Sequence, residues 1–310
     1  MRIVYSPRYH LDFGFHVFPT AKYRLVADAV ADAGLAPQGF VEPVAATWDE
    51  LALVHTPAYL TALREGRLSP AEIARLEIPC DPSIVDGFRF MTGGTLTAVE
   101  CALDGADRVA VHIGGGFHHA FAGHGEGFCM FNDIAVGVRR AIGRRQIGLA
   151  AVIDVDVHQG NGTAAIFRDD PTVFTLSLHG AKNFPFRKTA SDLDVELPDG
   201  CADAAYLRAL DDALDSAWQR QQAAPPGLAF YLAGADPHES DRLGRLKLSL
   251  QGLAERDRRV FARLAALRVP AAVVMAGGYN RDIETTVAIH RRTLELAQAH
   301  WLAWRSAAGG

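Results

Sequence analysis

The sequence predicts an α/β fold: a single, doubly wound domain whose mostly parallel central sheet carries helices on both faces. The first supporting observation is that short apolar runs rich in Val and Ile alternate with longer amphipathic stretches. The second is that no stretch of linker composition divides the 310 residues. The third is that glycines, carboxylates and histidines follow several of the apolar runs, at the edge where such folds place their sites.

Six apolar runs have the composition of parallel strands that are buried on both faces. Continuous Val, Ile, Leu and Ala residues, without polar alternation, are typical of such strands. In chain order, the predicted strands cover residues 3–5, 109–113, 149–157, 173–178, 228–232 and 271–276.

Six amphipathic stretches between these runs are predicted helices. They cover residues 21–33, 95–103, 134–142, 204–221, 250–267 and 283–304. Because right-handed crossovers through such helices keep the strands parallel, the carboxyl ends of the strands should meet along one edge of the sheet. We predict one domain over residues 1–306 and a flexible C-terminal end over residues 307–310.

Composition and charge exclude several functional classes. Thirty-one basic and 36 acidic residues give a net charge of −5, so a nucleic-acid-binding surface is not expected. No apolar run approaches the length of a membrane span, and the N-terminus lacks the design of a signal peptide. The four cysteines are scattered without a CxxC pair, which favours reduced thiols in a cytoplasmic protein. The sequence does not define the oligomeric state.

Chemistry-bearing side chains follow the second and third predicted strands. Gly114-Gly115-Gly116 precedes Phe117-His118-His119, and the glycines allow backbone conformations that place both histidines on an irregular loop. In the segment Asp154-Val155-Asp156-Val157-His158, alternate side chains share one face. Two carboxylates and an imidazole at the end of an apolar strand are costly to bury without a partner, and a divalent metal ion is the simplest one.

Two further strands contribute an aspartate and a tyrosine. Asp236 follows the run 228–232, and together with Asp156 and His158 it would give three protein ligands with an open position, as in catalytic zinc sites. The segment Gly277-Gly278-Tyr279 follows the last strand, and its glycines permit a sharp turn that aims the tyrosine hydroxyl into the same place.

These motifs occur in the order and approximate spacing of the zinc-dependent histone deacetylase superfamily, which the sequence resembles from near residue 1 to about residue 285. The resemblance also covers supporting segments near residues 5–7, 18–19, 92–95 and 127–133. The Tyr5-Ser6-Pro7-Arg8-Tyr9 opening, the short length and the Gln159-Gly160-Asn161-Gly162 variant are most similar to class IV and its bacterial relatives. The resemblance implies an arginase/deacetylase-like fold and a catalytic domain that removes acyl groups from lysine side chains.

Residue by residue, the resemblance implies that Asp156, His158 and Asp236 bind one Zn²⁺ ion. Tyr279 would polarise the scissile carbonyl, His119 would act as general base and acid, and His118 would stay largely cationic.

The resemblance implies supporting roles for two residues behind the histidines. Asp154 would lie behind His118, and Asn161 would orient His119 where many relatives carry an aspartate. A neutral amide stabilises imidazolium less than a carboxylate does, which lowers the expected pKa of His119. The resemblance also implies a monovalent cation site, suited to K⁺, that is formed by Asp154, Asp156, His158, Ser177 and Leu178.

The resemblance also implies a substrate channel, which is expected at Gly127, Phe128, Phe184 and Leu243. Polyamine-selecting relatives carry a glutamate where this sequence has Leu243, so an acyl-lysine protein or peptide is the expected substrate, with an acetyl or a longer fatty acyl group. Deacetylation of polyamines or other small N-acyl amines stays open as the alternative. An arginase-like ureohydrolase needs more carboxylates than this sequence offers, and a silent binding module would have lost some of these residues.

Overall fold

The computed structural model describes residues 1–104, 108–221 and 225–308 of the protein. Its described residues contain seven strands: β1 (Arg2–Val4), β2 (Val109–His112), β3 (Ala150–Asp154), β4 (Val173–Gly180), β5 (Leu193–Leu197), β6 (Leu228–Leu232) and β7 (Ala271–Val274). They form one sheet in the order β1-β2-β7-β6-β3-β4-β5, and every neighbouring pair is parallel. The predicted α/β fold with a parallel central sheet is therefore confirmed.

Ten helices in the described part of the chain surround the sheet. They are α1 (Ala21–Asp32), α2 (Trp48–Leu51), α3 (Pro57–Arg64), α4 (Pro70–Leu76), α5 (Pro82–Leu103), α6 (Asp133–Gly143), α7 (Asn161–Phe167), α8 (Asp203–Gln221), α9 (Leu250–Leu267) and α10 (Ile283–Ala308). A short 3₁₀ turn at Pro7–Tyr9 follows β1. Among the described residues, no helix is both long enough and apolar enough to cross a bilayer.

Both faces of the sheet are buried, as alternate residues of each strand show. In β6, Leu228 and Phe230 belong to one buried cluster that includes residues of α5, α6 and α7, whereas Ala229 and Tyr231 belong to a second that includes residues of α1, α8, α9 and α10. The continuous apolar character of the strands follows from this double coverage. It also excludes water from the sheet and leaves the strand ends as the place for polar chemistry.

The strand order explains why four distant loops meet. β2, β7, β6 and β3 are consecutive in the sheet, and each is parallel to its neighbour. The loops that begin after residues 112, 274, 232 and 154 therefore leave the sheet side by side at its carboxyl edge. These are the loops that carry the predicted site residues, although they are separated by up to about 160 residues in sequence.

Several elements differ from the sequence prediction. The sequence missed β5 because its residues alternate apolar and acidic at a half-exposed edge of the sheet. It also missed the short helices α2, α3 and α4, each of which is preceded by a Thr or Ser whose side chain accepts a backbone N–H.

Several boundaries also differ. Helix α5 was expected to start at residue 95 and instead begins at Pro82, where Asp81 caps the amides of Ser83 and Ile84. Strand β3 was expected to reach residue 157 and instead ends at Asp154. At the C-terminus, α10 extends to Ala308, and Gly309 and Gly310 of the predicted flexible end lie outside the described residues.

Candidate active site

Asp156, His158 and Asp236 meet at the carboxyl edge of the sheet. Each offers one ligand atom, these atoms all lie within 4.8 Å of one another, and all three residues are buried. His158 Nδ1 lies 3.0 Å from Asp156 Oδ1 and 3.1 Å from Asp236 Oδ2. The alternation of side chains continues past the end of β3, because Val155 and Val157 are buried in the core while Asp156 and His158 face this point.

Backbone amides hold the two carboxylates in place. The Gly277 N–H donates to Asp156 Oδ2 at 2.7 Å, and the Val157 N–H donates to Asp236 Oδ1 at 2.9 Å. A Cβ atom at position 277 would lie 1.9 Å from Asp236 Oδ2 and 2.6 Å from Asp156 Oδ2. Only glycine therefore fits at position 277, where the loop after β7 passes against the two carboxylates.

The three residues fit a bound metal ion. Burial lowers the pKa of the His158 imidazole, but its hydrogen bonds and charge interactions with Asp156 and Asp236 raise that pKa to about 10. The two carboxylates thus stabilise a positive charge at the point where the three ligand atoms meet. Two carboxylate oxygens and one imidazole nitrogen are also ligands that divalent metal ions accept in proteins. The cluster could hold a metal ion.

Two adjacent histidines lie beside this cluster, each with its own hydrogen-bond partner. The His118 Nδ1–H donates to Asp154 Oδ2 at 2.6 Å, and the His119 Nδ1–H donates to Asn161 Oδ1 at 2.7 Å. Both rings are buried, and their centroids are 4.1 Å apart. The structure thus pairs each histidine with the residue that the sequence resemblance implied for it.

The two imidazoles have opposite pKa shifts. Burial lowers the pKa of His118, but the charge and the hydrogen bond of Asp154 outweigh it and raise that pKa to about 8. Burial holds the pKa of His119 well below its usual range, and the charges of His118 and His158 lower it further. At neutral pH, His118 is therefore largely cationic and His119 is neutral.

Asp133 fixes the loop that carries both histidines. This residue opens α6, and its carboxylate accepts the backbone N–H groups of Gly116 at 3.0 Å and of Phe117 at 2.8 Å. Gly116 has a φ of +87°, and a Cβ there would lie 2.6 Å from the Cα of Ala276 in the loop after β7. The loops after β2 and β7 therefore pack backbone against backbone, which only glycine allows here.

Tyr279 lies on the other side of the cluster, on the loop after β7. Its backbone N–H donates to Asp241 Oδ2 at 2.6 Å, and its ring centroid is 6.4 Å from that of His158. Burial, together with the charges of Asp156 and Asp236, raises the pKa of the phenol well above its usual range. The hydroxyl therefore keeps its proton and can donate a hydrogen bond.

A cavity of about 340 Å³ leads from the surface to these residues. His119, His158 and Tyr279 line it, and so do all four predicted channel residues, which are Gly127, Phe128, Phe184 and Leu243. The Phe128 ring lies 6.0 Å from the Tyr279 ring, and the Phe184 ring lies 4.9 Å from the His119 ring, edge to face.

The outer part of the cavity carries mostly positive charge. Lys182, Arg242 and Arg245 line it together with one acidic residue, Glu77. Lys182 and Arg245 both pair with Asp199, at 4.0 Å and 2.6 Å respectively. Arg242 donates instead to two backbone carbonyls, of Tyr279 and Val17, each at 3.3 Å.

The residues expected to hold a monovalent cation lie at and just after the end of β3 and within the neighbouring strand β4. Asp154 and Ser177 are partners in the register of these two strands, and Leu178 is buried beside them. Ser177 Oγ lies 2.9 Å from the Nδ1 atom of His179.

Sequence reasoning missed two carboxylates that position this site. Asp241 accepts the backbone N–H groups of Leu243 and Gly244 in addition to that of Tyr279, so it joins the channel wall to the tyrosine. The spacing Asp-x-x-Gly at residues 241–244 is a turn signal that indicates the local bonds. Asp133 follows the capping residue Asn132, but no local pattern predicts that its carboxylate reaches the loop after β2.

Comparisons with known proteins agree with this fold. The crystal structure of the HDA15 HD domain superposes with a TM-score of 0.75 at 20% identity, covering 98% of this chain and 93% of that chain. An uncharacterized protein of Picosynechococcus sp. is 40% identical over 293 residues, covering 93% of this chain and 95% of its own. Histone deacetylase 2 of Arabidopsis thaliana is 34% identical over 304 residues, covering 92% of this chain and 76% of its own.

A further relative is the acetoin utilization protein AcuC of Bacillus subtilis, which is 29% identical over 304 residues and covers 90% of this chain and 77% of its own. The sequence profile of the histone deacetylase domain matches residues 16–294. The protein belongs to the histone deacetylase family, with bacterial relatives. Membership of this family supports a hydrolytic deacetylase that acts on acyl amides such as acetyl-lysine.

Proposed function

We propose that the protein is a zinc-dependent deacylase of lysine side chains, most similar to class IV deacetylases. The observation that supports this is the convergence of three possible metal ligands, a neutral histidine and a protonated tyrosine at the base of one cavity. A metal-assisted amide hydrolysis needs these groups: a metal site, a proton acceptor and a donor for the developing oxyanion.

Asp156, His158 and Asp236 would hold the Zn²⁺ ion. Two carboxylates and one imidazole leave a further coordination position open, which distinguishes a catalytic zinc site from a structural one. Bound Zn²⁺ would supply a Lewis acid that polarises the scissile carbonyl.

The protein's own residues would accept and donate the protons of the reaction. His119 is neutral and has its Nδ1–H bonded to Asn161, so its Nε2 atom can accept the proton of the attacking water. It would later return this proton to the departing lysine amine. His118, kept cationic by Asp154, would stabilise the negative charge of the transition state, and the Tyr279 hydroxyl would donate to the oxyanion.

The charge of the cavity mouth favours an acyl-lysine peptide over an acylated polyamine. The mouth carries three cationic residues and one acidic residue, Glu77, and stays positive even when Asp199, the partner of two of the cations, is counted. Leu243 gives the wall an apolar surface. A polyamine keeps further ammonium groups after acylation, and these would meet like charge at Lys182, Arg242 and Arg245. A peptide instead carries a neutral acyl-lysine, and acidic neighbours in its sequence would meet opposite charge.

The space beside the metal ligands favours a short acyl group. A smaller pocket of about 30 Å³ adjoins the substrate cavity, lies against Asp156 and His158, and is lined further by Tyr23, Gly116 and Cys129. Its volume equals about two water molecules. A methyl group fits there, whereas a long fatty acyl chain requires these side chains to move. We therefore propose acetyl as the preferred acyl group.

A monovalent cation, K⁺, is proposed as a structural ion behind this site. Asp154, Asp156, His158, Ser177 and Leu178 would supply its ligands, partly through backbone oxygens. Elemental analysis of protein dialysed against K⁺ or Na⁺ tests this proposal separately from the zinc content, and a protein that retains neither ion would contradict it.

The central test is the variant Asp236→Ala, with Asp32→Ala as a control on an exposed aspartate. Zinc content and hydrolysis of an acetyl-lysine peptide are measured on the same samples. We expect Asp236→Ala to lose both and Asp32→Ala to keep both. Near-normal hydrolysis by zinc-free Asp236→Ala protein would refute the proposed metal site.

A substrate panel tests the two finer parts of the proposal. It comprises one peptide that carries acetyl-, octanoyl- or myristoyl-lysine, together with acetylputrescine and acetylspermidine. We expect the highest kcat/KM with the acetyl peptide. A preference for myristoyl-lysine would refute the short-chain assignment, and a preference for acetylspermidine would make the protein a polyamine deacetylase.

A further inference from the structure

Glu126 extends the hydrogen-bond chain behind His119 by one residue. The Asn161 Nδ2–H donates to Glu126 Oε1 at 2.8 Å, while Asn161 Oδ1 accepts the His119 Nδ1–H at 2.7 Å. Asn161 is 2% exposed and is the first residue of α7. The amide is thus held between a carboxylate on one side and the imidazole on the other.

The carboxylate reaches Asn161 from a fixed piece of backbone. The Glu126 N–H donates to the Cys129 carbonyl at 3.1 Å, and the Cys129 N–H donates to the Glu126 carbonyl at 2.9 Å. These two bonds close the turn that also presents Gly127 and Phe128 to the substrate cavity. The Glu126 side chain faces a neighbouring cavity of about 470 Å³ rather than the substrate cavity itself.

Glu126 is ionised at neutral pH. Burial of its side chain raises its pKa, but the nearby His124 imidazole and the hydrogen bond from Asn161 outweigh this and lower that pKa below the usual range. His124 Nε2 lies 3.6 Å from Glu126 Oε2 and supports the negative charge from the side away from Asn161. An ionised carboxylate accepts hydrogen bonds and cannot donate them.

This acceptor-only character determines which way the Asn161 amide faces. The amide has a donor end and an acceptor end of nearly the same shape, so sterics alone do not select its orientation. Facing a carboxylate, it must present its NH₂ group to Glu126 and therefore its oxygen to His119. An oxygen at His119 requires the hydrogen on Nδ1, which leaves the lone pair on Nε2.

We propose that Glu126 is a positioning residue that orients the Asn161 amide and thereby holds His119 in the tautomer with a free Nε2. The proposal rests on the proposed function in so far as His119 is the general base. If Glu126 is lost, the amide can turn over and present its NH₂ group to His119. The Nδ1 atom would then accept, and the hydrogen would occupy the Nε2 position that has to take up the proton from water.

The first experiment compares Glu126→Gln with Glu284→Gln, a control that removes a charge from an exposed position of α10. The new amide at position 126 keeps the shape of the glutamate but can donate as well as accept. We expect kcat of Glu126→Gln to fall about tenfold with KM unchanged, and the control to keep both parameters. An unchanged kcat in Glu126→Gln would overturn the proposal.

Moving the carboxylate from position 126 to position 161 distinguishes a positioning role of Glu126 from a merely structural one. Asn161→Asp in the wild-type background places two carboxylates within about 2.8 Å of each other, where they repel. In the double variant Asn161→Asp/Glu126→Gln, the carboxylate at position 161 accepts from both His119 and the new amide. We expect the double variant to have a higher kcat than Asn161→Asp alone. If the kcat losses of Asn161→Asp and Glu126→Gln simply multiply in the double variant, the proposal is overturned.

Nitrogen-15 NMR of the histidine side chains gives a readout that does not depend on activity. We expect the shifts of His119 to report the Nδ1–H tautomer in the wild type and a mixture of tautomers in Glu126→Gln. An inactive wild type with this change of tautomer would support the positioning role and refute the proposed function. The same tautomer in both proteins would refute the positioning role alone.

Discussion

The two histidines on the loop after β2 have different hydrogen-bond partners at Nδ1. His118 and His119 are neighbours in the chain, both are buried, and each donates from Nδ1 to an oxygen at 2.6 to 2.7 Å. The oxygen belongs to the carboxylate of Asp154 in one pair and to the amide of Asn161 in the other. The pKa of His118 is raised to about 8, and that of His119 is held well below its usual range.

The difference teaches that burial alone does not set the charge of these imidazoles. Burial lowers the pKa of both rings, and only a full negative charge reverses the effect. The arrangement also reinforces itself, because the cationic His118 lowers the pKa of its neighbour further. A charged partner therefore makes one histidine an electrostatic group, while a neutral partner leaves the other free to accept a proton.

Removal of the proton acceptor should have the largest effect. In His119→Ala we expect kcat to fall about 10³-fold while the zinc content stays near that of the wild type, because His119 is not among the three clustered ligand residues. His118→Ala should retain more activity, since it removes charge stabilisation but leaves the base. Steady-state kinetics and elemental analysis of both variants check this, and equal losses would show that the two histidines share one role.

Removal of the charge on Asp154 should make the two pairs alike. In Asp154→Asn, burial dominates, the pKa of His118 falls, and we expect kcat at pH 7 to drop roughly 100-fold. In the wild type, the raised pKa keeps the proton on His118 below about pH 8, so activity should decline as the pH rises through that value. In Asp154→Asn this decline should move to lower pH.

The same shift has a consequence for stability. Since the folded pKa of His118 lies above its unfolded value, the stabilisation from the His118–Asp154 pair is complete below the unfolded pKa and is lost as the pH rises through about 8. Urea unfolding of wild type and Asp154→Asn from pH 6 to 9 should therefore show a difference in unfolding free energy that narrows with rising pH. A constant difference would contradict this assignment.

The fold was largely predictable because its signals are local. Apolar runs such as 109–113 and 228–232 needed no distant information, and the polar residues that follow them marked the edge of the sheet. The edge strand β5 was missed since its acidic residues conceal the pattern of a strand. Asp133 and Asp241 were missed for another reason: their carboxylates bind backbone amides that the strand order brings near them.

Gly160→Ala should disturb the His118–Asp154 hydrogen bond without a change in charge. The glycine has a φ of −72°, which is open to any residue, but a Cβ there would lie 2.5 Å from Asp154 Oδ2. The carboxylate must move away from His118, and we expect about a tenfold loss of kcat together with a lower pKa of His118. Gly143→Ala, where no atom lies within 4 Å of the new Cβ, is the control. If Gly160→Ala behaves like this control, the pair does not depend on close geometry.

Gly127→Ala is the corresponding probe of the His119 pair and should have the smallest effect. The new Cβ would lie 2.9 Å from Phe184 Cε1 and 3.0 Å from His119 Cδ2. Because the far end of the Phe184 ring can shift, we expect kcat/KM to fall only about threefold, a barrier change of less than 1 kcal/mol.

Gly66→Ala is the matched control for this probe, since Gly66 has a similar left-handed φ, +62° against +51°, and open space around it. Both variants should lose about 1 kcal/mol of stability from the backbone, and only Gly127→Ala should lose activity. The His119–Asn161 hydrogen bond involves no charged partner. We therefore expect Gly127→Ala to act on His119 only through packing against the channel wall. A loss in Gly127→Ala as large as that in Gly160→Ala would mean that His119 depends on close packing as strongly as His118 depends on its charged partner.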